Sequence, residues 1–323
     1  LATCLALLLW LALFLYSAGS ASAASYNAAS WGPNKGDGLG VGVSQAEGPQ
    51  RCTGESPCSK IATELKLTGI TEDIVAVAAG NRHSLALLKG GKVLAWGNEQ
   101  FGDLGNGSKE GNFDVPKEVS GLSEVTAIAT DGPFNLALLK NGTVKAWGEN
   151  REGELGDGTT SEESGEPVTV SGLSEVTAIA TGFSFGLALL KNGTVKAWGE
   201  NELGELAAEE ALIFSDVPVG ISGLSEATAI AAGAESGYAL LKNGTVKAWG
   251  LNTGGQLGDG SYTGPDCEKA CRRSPVSVSG LSEVTAISSS YDSVLALTKN
   301  GTVKSWGENQ EGELGDGTTE NSD

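Results

Sequence analysis

Methionine is absent from the 323 residues, histidine occurs once, and aromatic residues make up only 6%. A single histidine excludes His-rich metal sites and argues against Ser-His-Asp catalysis. Basic residues are in deficit: 21 Lys and Arg stand against 40 Asp and Glu, a formal charge of −19. Such a chain repels phosphate backbones, so nucleic acid is not expected as a partner. Beyond the N-terminal region no stretch keeps a 3.6-residue apolar period, which leaves little place for helices. Glycine, in contrast, is abundant at 48 residues, and seven of the few aromatics are Trp. The apolar fraction of 40% is enough for a buried core.

The one long apolar run, 5–16, is followed by small residues up to Ala23. It falls short of the ~20 residues of a spanning helix. An apolar stretch ahead of an A-x-A site is the pattern of a secretory signal. Residues 1–23 are therefore expected to be a signal cleaved after Ala23, with 24–323 as the mature domain. A retained short membrane anchor is the alternative. Cys4 precedes the run, which does not fit a lipoprotein signal. The expected location is secreted or on the exterior of the cell envelope, without stable membrane insertion once the signal is removed. The chain starts at Leu1 and lacks a charged leader, and is read as a piece of a longer protein.

Self-comparison organises the rest. Trp-Gly preceded by Ala or Ser recurs at Trp31, Trp96, Trp147, Trp198, Trp249 and Trp306, at spacings of 65, 51, 51, 51 and 57. A period near 50 residues marks a propeller, solenoid or array. Ser120–Thr130 reads SGLSEVTAIAT and is repeated letter for letter at Ser171–Thr181. Within each unit, V-T-A-I and L-A-L-L runs are short and strand-like. Asn141-Gly142 and its counterparts at Asn192, Asn243 and Asn300 predict type I′ hairpins, with Gly90-Gly91 in the first unit. Pro167–Val170 is a candidate fourth strand. Three to four antiparallel strands per unit cannot bury both faces alone, so the units must stack around an axis. Ala127, Ala129, Ala178 and Ala180 suit a crowded inner strand. Each Trp reads as a wedge between neighbouring sheets; a surface sugar-binding aromatic is the rival reading.

The segment LALLKNGTVKAWGENREGELGDGT resembles the repeat of the regulator-of-chromosome-condensation family, A-x-G-x-x-H-[ST]-L-A-L followed by V-x-x-W-G-x-N-x-x-G-Q-L-G. The likeness runs from Trp31 to the end. It implies an all-β propeller of three- to four-stranded antiparallel blades: five complete repeats plus partial ends here, seven blades in the full protein. Ala28–Gly32 looks like the last strand of a blade whose other strands lie elsewhere, and in the family such a strand closes the ring against the C-terminal repeat. The resemblance also implies two very different roles, guanine-nucleotide exchange on a small GTPase or, among secreted bacterial relatives, inhibition of β-lactamase by a propeller.

Four cysteines follow the signal. Cys52 with Cys58, and Cys267 with Cys271, lie in corresponding loop insertions and read as two local disulfides. A four-thiolate zinc site and free thiols are the alternatives. Asn106, Asn141, Asn192, Asn243 and Asn300 match the glycosylation pattern, but four are explained as hairpin tips. His83 occupies the family His position and reads as a hydrogen-bonded blade residue.

The family Gln survives at Gln256 and is Asp103, Glu154, Glu205 and Glu313 elsewhere. With Glu149, Glu152 and Asp157, and again Glu308, Glu311 and Asp316, these suggest a carboxylate band on one rim. The band is either a solvated face, a docking surface for a basic partner, or a set of weak Ca²⁺ sites. One unit breaks the pattern: Leu212-Ile213-Phe214 stand where the preceding unit has Ser161-Glu162-Glu163. That segment is either a binding patch or packs down locally. The function expected is a secreted, non-enzymatic, monomeric scaffold that binds a protein or cell-surface ligand, with no cofactor and no metal. The partner-binding candidates are Leu212, Ile213, Phe214, Glu154, Glu205 and Glu313. Exchange activity and a polysaccharide-acting enzyme are the alternatives. Carboxylates copied in every repeat speak against the unique pair that glycoside hydrolysis needs.

Overall fold

The computed structural model describes residues 29–33, 50–51, 57–64, 67, 69–108, 111–208, 212–267 and 270–323. The expected signal at 1–23 and Cys52 lie outside these residues. Among the described residues there are 22 strands and no helix.

The strand-forming runs each become one strand of a small antiparallel sheet. β1 (Ala29–Pro33), β2 (Gln50–Arg51) and β3 (Pro57–Glu64) form a three-stranded sheet in the order β1-β3-β2. The first full unit is β4 (Ile74–Ala79), β5 (His83–Leu88), β6 (Val93–Asn98) and β7 (Asn112–Glu118). The second is β8 (Val125–Thr130), β9 (Phe134–Leu139), β10 (Val144–Glu149) and β11 (Glu163–Thr169). The third is β12 (Val176–Thr181), β13 (Phe185–Leu190), β14 (Val195–Glu200) and β15 (Phe214–Gly220). The fourth is β16 (Ala227–Ala232), β17 (Ser236–Leu241), β18 (Val246–Leu251) and β19 (Cys271–Ser277). The fifth has β20 (Val284–Ser290), β21 (Ser293–Thr298) and β22 (Val303–Gly307). An isolated antiparallel bridge, Gly307 to Ser322, stands where a fourth strand pairs in the other units.

The first strand of each unit is innermost. β4 touches β8, β12 touches both β8 and β16, and β16 touches β20. Backbone bonds tie the inner loops together, with Phe183 N–H donating to Ala234 O (2.8 Å) and Ala234 N–H to Tyr291 O (2.9 Å). The blades therefore follow one another around a common axis as an all-β propeller.

The stacking explains why the second strand of each blade loses the polar–apolar alternation of a half-exposed sheet. Leu136 and Leu138 pack towards the next blade in a cluster that includes Trp198. Ala137, on the opposite face, packs towards the previous blade in a cluster that includes Trp147. Ala on one face leaves room for the blade's own indole, and the Leu residues on the other face receive the indole of the next blade. Trp147, Trp198 and Trp249 are fully buried. Each indole N–H donates to a carbonyl of the preceding blade: Trp147 to Asp103 (2.9 Å), Trp198 to Glu154 (2.8 Å), Trp249 to Glu205 (2.7 Å) and Trp306 to Gln256 (2.9 Å). Burying ~200 Å² of Trp surface contributes up to about 5 kcal/mol at ~25 cal/mol/Å², so each wedge is a large single contribution to the contact between sheets.

Three expectations are corrected. The Asn-Gly hairpins are not type I′. Gly142 has φ +80° but Asn141 stays at negative φ. Gly142 N–H donates to Leu139 O and Leu139 N–H to Thr143 O, at 2.9 and 2.8 Å. This is the three-residue turn in which Gly alone takes the left-handed position. The Asn141 side chain instead accepts Thr143 N–H at 3.0 Å, which holds the turn without a left-handed Asn. Second, the outer strand is longer than Pro167–Val170; it runs Glu163–Thr169. Third, β1 is not a last strand. It pairs with β3 through Ser30–Thr63 and Gly32–Ser59, with a bulge at Trp31. That is the register of β10 with β11, bulged at Trp147. β1 thus corresponds to the third strand of a blade and β3 to its outer strand.

Candidate functional site

The loops that leave the third strands form a layer at one end of the blades. Their scaffold is a buried asparagine, Asn150, Asn201, Asn252 or Asn309, each with 0% exposure. Its Oδ1 accepts the N–H of the Leu five residues on, at 2.9–3.0 Å. Its Nδ2 donates to carbonyls across the turn, such as Thr159 O and Ser261 O. A polar side chain at this position replaces water as the partner of buried backbone groups.

Four residues beyond the asparagine comes the position that varies between Glu and Gln. Glu154 and Glu205 are 1% exposed. Their Oε2 atoms accept the backbone N–H of Glu152 and Leu203 at 2.9 Å. Gln256 repeats that bond through Gly254 N–H, and its Nε2 donates to Asp292 Oδ1 at 2.9 Å. Burial pushes the Glu154 carboxyl up to about 7 and that of Glu205 up to about 8. Glu154 and Glu205 point into the interior, so the docking role expected of them on a rim is corrected: a carboxylate that closes its own turn does not meet a partner from solution. Glu313 is half-buried and accepts Glu311 N–H at 2.9 Å. Asp157 is half-buried and Asp316 exposed, and they cap Thr159 and Thr318 N–H of their own turns. Among the described residues no group of three or more His, Cys, Asp or Glu is placed to hold a metal.

The first blade departs from the copies. Glu99 occupies the asparagine position and accepts Leu104 N–H at 3.1 Å. Asp103 occupies the Glu/Gln position. Both are buried, at 3% and 4% exposure. Burial raises Asp103 to about 8, with the charge of Glu99 adding to it, and burial raises Glu99 to about 7. Glu99 Oε1 and Asp103 Oδ1 have no hydrogen-bond partner among the described residues. Beside Asp103 lies a cavity of about 220 Å³ between the first two blades, walled by Phe101, Pro133, Phe183, Gln100 and Glu149, with exposed Arg82 also lining it. Glu99 does not line it. The substitution of Glu for Asn at 99 is readable by alignment of the units.

His83 is 3% exposed and joins the same interface. Its Nε2 lies 2.6 Å from Asn135 Oδ1 and 3.0 Å from Thr130 Oγ1. Thr130 Oγ1 donates to Phe134 O and Asn135 Oδ1 is an acceptor, so Nε2 carries a proton. Burial holds His83 down to about 4. Asn135 Nδ2 in turn donates to Asp103 O at 2.9 Å.

The apolar segment of the third blade divides. Leu212 packs against the blade's own core, and its carbonyl accepts from Asn201 Nδ2. Ile213 is 56% exposed. Phe214 begins β15 and is half-buried opposite Glu200. In the fourth blade Cys267 and Cys271 are bonded, with Cα atoms 5.3 Å apart. Arg273, two residues on, reaches the third blade and donates to Asn201 O and Glu202 O at 2.9 and 2.7 Å. The Cys52–Cys58 pairing falls outside the residues whose side chains are described.

Sheets of one repeat, wedged by tryptophan around an axis, define a β-propeller of ~50-residue units. The chain belongs to the RCC1-like domain family, whose sequence profile matches residues 23–323. It is 34% identical over 258 residues to the human E3 ubiquitin-protein ligase HERC2, covering 76% of this chain and 5% of that protein. It is 28% identical over 249 residues to the ultraviolet-B receptor UVR8 of Arabidopsis thaliana, covering 76% of this chain and 55% of the receptor. The chain thus spans about half of one of these relatives and a small part of the other. Yeast RCC1 (Prp20), solved with Kap60, superposes with a TM-score of 0.77 at 20% identity, over 92% of this chain and 70% of that one. Human WBSCR16 gives 0.69 at 25% identity, over 82% and 66%.

Proposed function

We propose that this chain is a secreted, non-enzymatic propeller scaffold that binds a protein or surface ligand through its rim loops. One observation carries the reading: the polar groups copied from blade to blade are committed to the backbone. The buried asparagines, the Glu/Gln side chains and the indole N–H groups all close turns or join neighbouring blades. Individuality is left to the loops, where Ile213 is exposed and the Cys267–Cys271 segment is inserted. Proteins of this fold include yeast Prp20p, whose structure was described with its binding to Gsp1p and histones. A polysaccharide-acting enzyme is less well supported, because the carboxylates recur from repeat to repeat instead of forming one unique pair.

The test is a chain produced with its N-terminal region. The mature protein is expected in the medium beginning at Ala24, and it should capture a partner reproducibly from the native extracellular milieu. The triple variant Leu212→Ser, Ile213→Glu, Phe214→Glu installs the residues of the preceding repeat, so it should fold and lose capture. Retention inside the cell, together with accelerated nucleotide release from a small GTPase, would replace this reading by exchange activity.

A further inference from the structure

We propose that the cavity beside Asp103 receives the cationic head of a lysine or arginine side chain presented by a partner protein, with Asp103 as its counter-ion. The proposal rests on the reading of the chain as a binding scaffold and gives the partner a chemistry.

Asp103 is one of the residues lining the cavity. It is 4% exposed, and its Oδ1 has no hydrogen-bond partner among the described residues. A buried acceptor without a donor is unfavourable and is relieved by any group that brings one. Glu154, Glu205 and Gln256 are one methylene longer than Asp103 at the equivalent position, and each reaches a backbone N–H two residues back. Asp103, one methylene shorter, accepts the backbone N–H groups of Phe101 and Gln100 and borders the cavity.

The space has the size and lining of a side-chain pocket. At about 220 Å³ it is smaller than the ~300–1,000 Å³ of a drug-sized ligand site. Phe101, Pro133 and Phe183 offer apolar walls for a methylene stem, and Glu149 supplies a second carboxylate. The wall already holds a guanidinium of this chain. Arg151 stands over the Phe101 ring, 5.6 Å from its centroid, and its Nε is 3.6 Å from Glu149 Oε1. The chemistry that retains Arg151 on the outer side is the chemistry an incoming basic group would find. His83, at the inner side, is neutral. Arg82 is exposed, with Nη1 donating to Gln100 Oε1 at 3.4 Å. The formal charge of −19 steers basic partners towards the propeller as a whole.

The experiment uses the full chain and two small probes, N-acetyl-argininamide and its uncharged isostere N-acetyl-citrullinamide. The readout is the NMR shift of the Trp147 indole N–H, which donates to the Asp103 carbonyl. A saturable shift is expected with the arginine probe and not with citrulline. Asp103→Glu installs the residue of the second and third blades, and so lengthens the side chain without disturbing the repeat. It is expected to weaken binding about 10- to 100-fold, the worth of a hydrogen bond to a charged group. Asp103→Asn, which keeps the size and removes the charge, should weaken it similarly. No saturable shift in the natural chain, equal binding of citrulline, or undiminished binding by Asp103→Glu would each overturn the proposal. Partner capture that survives such a result, and is still lost in the variant of residues 212–214, would leave the scaffold reading standing and remove the pocket alone.

Discussion

Replacing Glu205 by Gln should stabilise the protein, and only at alkaline pH. Glu205 is 1% exposed, and its Oε1 has no hydrogen-bond partner among the described residues. Burial, reinforced by Glu200 and Glu235, lifts its carboxyl from an ordinary 4.5 to about 8. Because the folded value lies above the unfolded one, the group's contribution is fully present below pH 4.5 and is lost as pH rises through 8. At ~1.4 kcal/mol per pH unit, holding the carboxylate ionised in place costs up to about 5 kcal/mol. Relaxation and water entry reduce this, so a gain of about 2 kcal/mol or more is expected for the amide. The amide oxygen keeps Leu203 N–H, and the new NH₂ faces Glu235 as Gln256 Nε2 faces Asp292 at 2.9 Å. Gln256 is thus the natural control for the substitution. Urea unfolding followed by Trp fluorescence at about pH 5 and pH 8.5 checks it. The variant should match the parent at the lower pH and exceed it at the higher. A variant no more stable at the higher pH, or a gain independent of pH, would refute the account of buried carboxyls as the source of strain. The reverse change, Gln256→Glu, should destabilise at alkaline pH by at least as much, since it sets a carboxylate against Asp292.

The whole protein should lose thermal stability from about pH 5 to pH 8. Asp103 and Glu205 near 8, Glu99 and Glu154 near 7, and Asp131 near 6 all bind protons more tightly when folded. His83, held down to about 4, works in the opposite sense, its contribution being complete above 6.5 and lost as pH falls through 4. Five groups oppose one, so a melting temperature that rises between pH 6 and 8 would contradict the structure. Trp198→Ala should cost about 3–5 kcal/mol, because it removes a fully buried wedge and leaves the Glu154 carbonyl without its indole donor; equilibrium unfolding measures it. Asn201→Ala should cost about 2–4 kcal/mol, since Leu206 N–H and Leu212 O both lose their partner in a buried turn. Asn201→Asp, which keeps the acceptor for Leu206, should retain part of that at acidic pH.

Much of this architecture was legible in the letters, because a repeat makes the same local statement five times. Val125–Ile128 and Leu136–Leu139 read as strands and are strands, and the Asn-Gly pairs are turns. Turn type was not legible: Asn141 and Gly142 both tolerate left-handed φ, and only the spacing of the flanking strands selects the conformation in which Gly142 alone adopts it. The carboxylates were the larger surprise. A Glu at position 154 or 205 looks like surface charge by residue type. Its burial follows from the turn that folds it back onto its own backbone and from the neighbouring blade that closes over it. The cavity at Asp103 was equally hidden, since its walls come from loops that meet only when the blades are juxtaposed.

The sequence by itself determined the unit: strand lengths, hairpin positions, the period, and the large and small residues that alternate on the two faces of each sheet. These are set by contacts within about 50 residues and by the chemistry of single side chains. Tertiary structure alone decided which polar groups face inward, which carboxyls hold protons near neutral pH, and where an acceptor is left without a donor. Those properties depend on desolvation, and desolvation of one blade is imposed by the next.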